Sequence, residues 1–260
     1  DAYSVDGMRR VIDLRQGDAL AGDYRRVEYL VPADDVVEHL RRLAFDPDHP
    51  AIAEHEVAID PATRDFLVCT HGAVDACCAT FGYPIYKLMR AMADRSTTPV
   101  RVWRATHFGG HRFAATALEL PDVRYWGRLK PEMLSSLIHR SVPAREVRGN
   151  YRGWAALDEP LWQIAEAELL AAAGWGWTGA TITGITGEAS ADEGGTLAIA
   201  FTHPAGDGEV EIAITPNGSV TTMDSSRTAE LHEEPQVRAE IVTQRPAGCL
   251  SIISNDHERA

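Results

Sequence analysis

Long hydrophobic runs are missing from this chain of 260 residues. None approaches the ~20 apolar residues a helix needs to cross a bilayer, and the N-terminal stretch lacks a secretory-leader pattern. The expectation is a soluble, cytoplasmic protein with no membrane partner. Cysteine is scarce: four residues, too few for a disulfide scaffold. No two of them make C-x-x-C, the pair used by thiol–disulfide oxidoreductases. There is no P-loop and no G-x-G-x-x-G dinucleotide fingerprint. Bound nucleotide, NAD or FAD is therefore not expected. Repeats and low-complexity tracts are absent too. Positive charge is short overall, with a net charge of −13, which argues against nucleic acid as the main partner.

What is present is unevenly placed. From Tyr86 to Arg152 there are thirteen Lys and Arg against five Asp and Glu. A basic middle between acidic flanks suits an anionic ligand, a charged cofactor or an acidic protein partner. The alternative is that these arginines are solvated or tie the middle to its own flanks. Three of the four cysteines fall within CTHGAVDACC (69–78), and HFGGH (107–111) follows. In a reducing compartment such a cluster reads as metal-binding or catalytic.

The periodicity divides the chain into an N-terminal α/β segment (1–60), a middle (61–175) and a β-rich C-terminal extension (176–260). Strands are expected at 9–15 and 26–32, and a helix at 34–44 with Val36, Leu40, Leu43 and Ala44 inward. In the middle, DFLVC (65–69) reads as a strand, 82–94 as a helix with Pro84 in its first turn, and PVRVWR (99–104) and FAATALEL (113–120) as strands. Helices follow around Met133–Ile138 and over 159–173, the latter stopped by Gly174. Beyond it the period becomes two: strands at 181–185, 196–201, 209–215 and 237–243, with turns at Asp207-Gly208 and Asn217-Gly218. Whether this meander is its own sheet stays open.

Strand, helix, strand is a βαβ unit, so its strands lie parallel with C-terminal ends at one sheet edge. Cys69 closes the first strand and His107 follows the second, so both motifs emerge where open α/β sheets place ligands. Gly109-Gly110 permits positive φ and disfavours a helix, so the histidines are not zincin-like helix neighbours. The wide cysteine spacing exceeds that of structural zinc and suits a larger cluster. Two Cys and two His is Rieske arithmetic, but Rieske motifs put one of each in each loop, and this chain does not.

The pattern C-x8-C followed by H-x-G-G-H resembles the sucrase/ferredoxin-like family. CTHGAVDACC is similar to that family's CxHGxxDxxC, and THFGGHRFA to its SHxGGHRFA; YWGRL (125–129), YRGW (151–154) and QIAEAELL (163–170) fall where bacterial members carry similar segments. The resemblance covers roughly 60–175 and fits the ends poorly. Ala73-Val74 depart from it, standing where many relatives have basic residues. It implies a thioredoxin-like ferredoxin core with an N-terminal α/β lead-in and a C-terminal antiparallel β extension. It also implies a [2Fe–2S] cluster on Cys69, Cys78, His107 and His111. Nothing supports sucrose cleavage.

Around those ligands, Thr70 and Thr106 are placed to hydrogen-bond sulfur, Arg104 and Arg112 to stabilise added electrons or steer an acidic donor, and Gly109 and Gly110 to let the backbone approach. His71 reads as a supporting or capping residue, Cys77 as a thiol in the wall or a substitute for Cys78, and Cys249 as a small buried hydrophobe. Neutral imidazoles raise a cluster's potential relative to four thiolates, and their second nitrogens couple electron to proton uptake. The expected role is a one-electron carrier with a redox protein as donor or acceptor, rather than an enzyme in its own right. Rivals are a cluster-based sensor of oxidants or nitric oxide, a thioredoxin-like thiol–disulfide oxidoreductase using Cys77 or Cys78, and a redox-inert zinc module. Whether the chain is a homodimer stays open.

Overall fold

The computed structural model describes residues 3–223, 225–228 and 230–257. The chain is mixed α/β, with three sheets. The N-terminal hairpin pairs β1 (Met8–Gln16) with β2 (Tyr24–Pro32), and the two-residue β3 (Glu56–Val57) adds to β2. Helix α1 (Val36–Phe45) packs on it. Its inward face differs from the expected one: Leu40 is exposed, whereas His39 is buried against Tyr29, their rings 4.7 Å apart.

The central sheet has the order β5-β4-β6-β7-β8. Its members are β4 (Arg64–Cys69), β5 (Val100–Ala105), β6 (Ala117–Leu120), β7 (Arg124–Trp126) and β8 (Tyr151–Trp154). Only β4 and β5 are parallel, with Cys69 level with Ala105. The antiparallel β6 and β7 continue the sheet beside β4. A parallel βαβ pair extended by an antiparallel hairpin is the thioredoxin-like core expected from the sequence. The third expected strand is shorter than anticipated, because 111–113 forms a 3-10 turn.

Helix α2 (Ala76–Ala93) joins β4 to β5 and starts six residues earlier than the periodicity suggested. Asp75 is the reason. Its carboxylate accepts the Cys77 N–H at 2.9 Å and caps the helix. Pro84 therefore sits inside the helix, and Ile85 and Met89 face the core while Leu88 is exposed. A short α3 (Leu134–His139) and α4 (Pro160–Ala173) follow. GWGWTG (174–179) spells G-x-G-x-x-G, yet it is a 3-10 turn after a helix and before a strand, with Trp175 and Trp177 buried. It cradles nothing.

The C-terminal meander is its own sheet, ordered β12-β11-β10-β9. Its strands are β9 (Thr181–Ser190), β10 (Gly194–Thr202), β11 (Gly208–Met223) and β12 (Leu231–Arg245), followed by α5 (Cys249–His257). The expected turn at Asn217-Gly218 is not one. Gly218 has φ +75°, but the register shift between Pro216 and Ser219 makes it a bulge inside β11. The β11–β12 hairpin therefore runs on to Met223 and Leu231. One apolar core spans both large sheets, joining Phe66, Val68 and Trp126 to Ile199 and Ile212. Cys249 is buried in it as expected.

Some arginines of the basic middle are tied to its flanks. Glu28 and Asp65, both buried, accept from Arg101 and Arg26, and Arg10 adds to Glu28 at 2.7 Å, docking the N-terminal hairpin on β4 and β5. Arg124 is buried against Glu166 at 3.0 Å. Arg64 and Arg140 hold Glu119 at 2.8 and 3.3 Å.

Candidate metal centre

Two chain segments end at one corner of the central sheet. Strand β4 delivers Cys69 there, and the first turn of α2 delivers Cys78. Both thiols are free and buried, each 1% exposed. The helix can come this close only because residue 82 is glycine: a Cβ there would lie 2.0 Å from the Cys69 carbonyl oxygen. From the end of β5, His107 turns in, its Nδ1 3.8 Å from Cys69 Sγ and 3.7 Å from Cys78 Sγ. These three residues are the one group of His, Cys, Asp or Glu among the described residues whose donor atoms all lie within 4.8 Å of one another. The His111 ring stands beside that of His107, centroids 5.4 Å apart.

The loop is held by its neighbours. His71 Nδ1 accepts the His107 backbone N–H at 3.4 Å, which gives the supporting role expected of it a specific atom. Cys77 lies outside the donor group, and its thiol donates to the His111 carbonyl at 3.1 Å. Gly109 and Gly110 take φ of +96° and +72°, as their pairing implied. Thr70 and the arginines around the loop have partners of their own. Among the described residues neither Thr70 nor Thr106 bonds a ligand sulfur through its hydroxyl; Thr70 contributes its backbone N–H, to Ala105. The arginines are also engaged elsewhere: Arg104 lies over the Tyr83 ring at 5.4 Å, and Arg112 pairs with Glu234 at 2.7 Å.

Glu234 belongs to β12, and this reach of the C-terminal hairpin was not visible in the sequence. At its tip the Ser226 N–H donates to Asp75 at 2.8 Å, and Arg227 donates to the Ala73 carbonyl. A basic side chain thus arrives at Ala73-Val74 from 154 residues away in sequence, where the local sequence lacks one. The strand-like runs at 219–223 and 231–236 were the signal available, hidden by reading Asn217-Gly218 as the turn.

Burial and the adjacent Cys69 push the Cys78 thiol up to about 12, and burial with Asp75 pushes Cys77 up to about 11. Asp75 itself is held far below the ordinary carboxylate range by Cys77 and by the backbone N–H groups it accepts. Soft thiols with imidazole select zinc, copper or iron–sulfur centres, so the donor chemistry fits such a group. The spacing is tight: a single tetrahedral ion with sulfur at about 2.3 Å and nitrogen at about 2.0 Å separates those atoms by roughly 3.5 Å. A two-iron unit needs the histidine loop farther out, and around Gly109 there is room, with no atom within 4 Å of an added Cβ.

Among curated proteins none matches the chain. Among solved structures, it is similar to a thioredoxin-like [2Fe–2S] ferredoxin from Aquifex aeolicus at 11% identity, over 36% of this chain and 93% of that one, with a TM-score of 0.32. A cysteine-to-serine variant of that ferredoxin matches at 11% identity over 30% and 85%, with a TM-score of 0.27. The assignment rests instead on the sucrase/ferredoxin-like family model, which matches residues 7–153. That span takes in the N-terminal hairpin, contrary to the poor fit expected there, and stops short of α4. The chain belongs to the sucrase/ferredoxin-like family.

Proposed function

We propose that the chain is an electron-transfer protein that holds a [2Fe–2S] cluster through Cys69, Cys78, His107 and His111. The observation that carries this reading is the convergence of two free buried thiols and an imidazole at the end of the parallel strand pair, in a chain of this family. Bound there, such a cluster supplies one-electron redox chemistry. The chain's own groups divide the remaining work. The buried cysteine side excludes water, and the half-buried histidine side faces a partner. Asp75, His71 and Cys77 fix the helix start and the histidine loop. Imidazoles in place of thiolates leave less negative charge and favour electron uptake. Their outer nitrogens can accept a proton with the electron, giving a midpoint that falls with pH by up to ~59 mV per unit for one proton per electron; a potential flat from pH 6 to 10 would refute that coupling.

The test of the ligand set is a visible and EPR spectrum of anaerobically purified protein beside His107→Cys and His111→Cys. Shifted g-values in both variants support it; unchanged spectra in either remove that histidine. A second reading, a single zinc ion in a redox-inert module, is favoured by the 3.7–3.8 Å sulfur-to-nitrogen distances. The oxidoreductase reading is disfavoured, because reactive thiols are held low and Cys77 and Cys78 are pushed up.

A further inference from the structure

Beside the histidine loop lies a cavity of about 220 Å³ that neither the metal donors nor the core accounts for. Its walls include Phe108, Phe113, Thr116, Tyr125, Trp126 and Arg152, and the loop glycines 109 and 110 border it. We propose that this cavity binds a small planar aromatic anion, its ring against Phe108, Tyr125 and Trp126 and its acid group on Arg152. The proposal concerns a site separate from the metal ligands and stands whichever ion they hold.

Three observations converge on that class of ligand. The first is uncompensated charge. The Arg152 and Arg128 guanidiniums lie 3.5 and 5.2 Å from the centroid of one ring, Phe113. Among the described residues neither has a carboxylate in ion-pair range. The other nearby arginines are already engaged, Arg112 with Glu234 and Arg148 with Glu168. Arg152 is partly open to solvent, and burial of the rest of the side chain, followed by repulsion from Arg128, Arg148 and Arg112, lowers its pKa to about 10, so an anion reaching it from the cavity meets a cation with only water beside it. The second is an orphaned polar group: Thr116 is 4% exposed and its hydroxyl is buried without a partner among the described residues. The third is shape. The Phe108 and Tyr125 rings, both on the cavity wall, are stacked with centroids 6.0 Å apart and planes 26° from parallel. Gly127 lets Phe113 and Arg152 pack together, since a Cβ there would lie 2.9 Å from the Phe113 Cβ and 3.2 Å from the Arg152 Cγ.

These features separate the candidates. A neutral aromatic would leave Arg152 uncompensated, and an inorganic anion would leave the aromatic wall unused. An aromatic carboxylate satisfies both, with a bidentate contact to the guanidinium in a mostly apolar concavity that a few polar groups orient.

The experiment titrates the full chain, as purified, with 2-naphthoate, its neutral isostere 2-naphthamide and inorganic phosphate, followed by calorimetry and tryptophan fluorescence. Saturable binding of the acid is expected, tenfold or more tighter than the amide and tighter than phosphate. Arg152→Gln should lose the acid's tenfold advantage and keep the amide's affinity, and Arg152→Lys should retain part of it; circular dichroism checks that both variants fold. Thr116→Leu, which fills the cavity, should weaken acid and amide alike. Equal affinity for acid and amide, phosphate binding as tight as the acid, or an undiminished acid affinity in a folded Arg152→Gln would each overturn the proposal.

Discussion

Replacing Asp75 tests how the ligand-bearing helix is held. Its buried carboxylate caps α2 through the Cys77 N–H at 2.9 Å and accepts the Ser226 N–H from the hairpin tip at 2.8 Å. Asp75→Ala removes an N-cap, worth about 0.5–2 kcal/mol, and the bond from the solvent-exposed Ser226 N–H, which water can replace, worth about 0.5–1.5 kcal/mol. The two effects overlap, so a loss of about 1–3 kcal/mol is expected. For a chain of this size that lowers the melting temperature by roughly 2–12 °C. Asp75→Asn keeps one acceptor oxygen and should lose less than half as much. Acid provides a second signature. Because the folded carboxylate lies below its ordinary range, its stabilisation is full above about pH 4 and fades as pH falls further; the Asn variant should not show that fading component. Denaturant titrations from pH 2.5 to 8 give the comparison, and hydrogen exchange reports the Ser226 amide. Stability of Asp75→Ala within 0.5 kcal/mol of the parent, with Ser226 exchange unchanged, would refute the reasoning.

Gly82→Ala would ordinarily strengthen a helix by about 1 kcal/mol, but the contact with the Cys69 carbonyl should make it destabilising and reduce metal content on purification, read by denaturation and metal analysis. Glu234→Gln breaks an exposed, solvent-screened pair with Arg112 and should leave the melting temperature unchanged, while speeding amide exchange in the hairpin tip. Glu28→Gln should cost about 3–5 kcal/mol, the figure for breaking a buried ion pair on one side, since Arg10, Arg26 and Arg101 all meet there; thermal melts measure it. Burial pushes Glu28 and Glu119 up, but Arg101 with Arg26, and Arg64 with Arg140, outweigh it and leave both lowered. Their contribution is therefore present above about pH 4.3 and lost below it, so acid unfolding should start later in Glu28→Gln relative to its own neutral stability.

The meeting of Cys69 and Cys78 with His107 was legible because its determinants are local; His111 stands beside His107 but outside that group. A strand ending in Cys69, a strand leading to His107 and a parallel crossover suffice to place both at one edge, and the structure puts their side chains 3.8 Å apart. The glycine pair was legible for the same reason. The start of α2 was not. Pro84 suits a first helical turn, and the true cap, Asp75, sits inside what looked like a ligand loop. Asn217-Gly218 misled because positive φ serves a hairpin turn and a bulge equally well, and only the strand partner decides between them. Arg101, Arg112 and Arg124 reach Glu28, Glu234 and Glu166, which lie 73, 122 and 42 residues away. No periodicity reports such distances, so a basic stretch could not be divided in advance into structural arginines and the uncompensated pair at Phe113. Leu40 was placed inward by pattern, while the buried position went to His39, which can lay an aromatic face on Tyr29.

The most direct measurement is the ratio of iron, zinc and acid-labile sulfide to protein in chain purified without oxygen. About two iron and two sulfide per chain are expected, on the ligand arithmetic of a two-iron cluster. One zinc per chain with no sulfide would instead make the closely spaced sulfur and nitrogen atoms a single-ion site and contradict the electron-transfer reading.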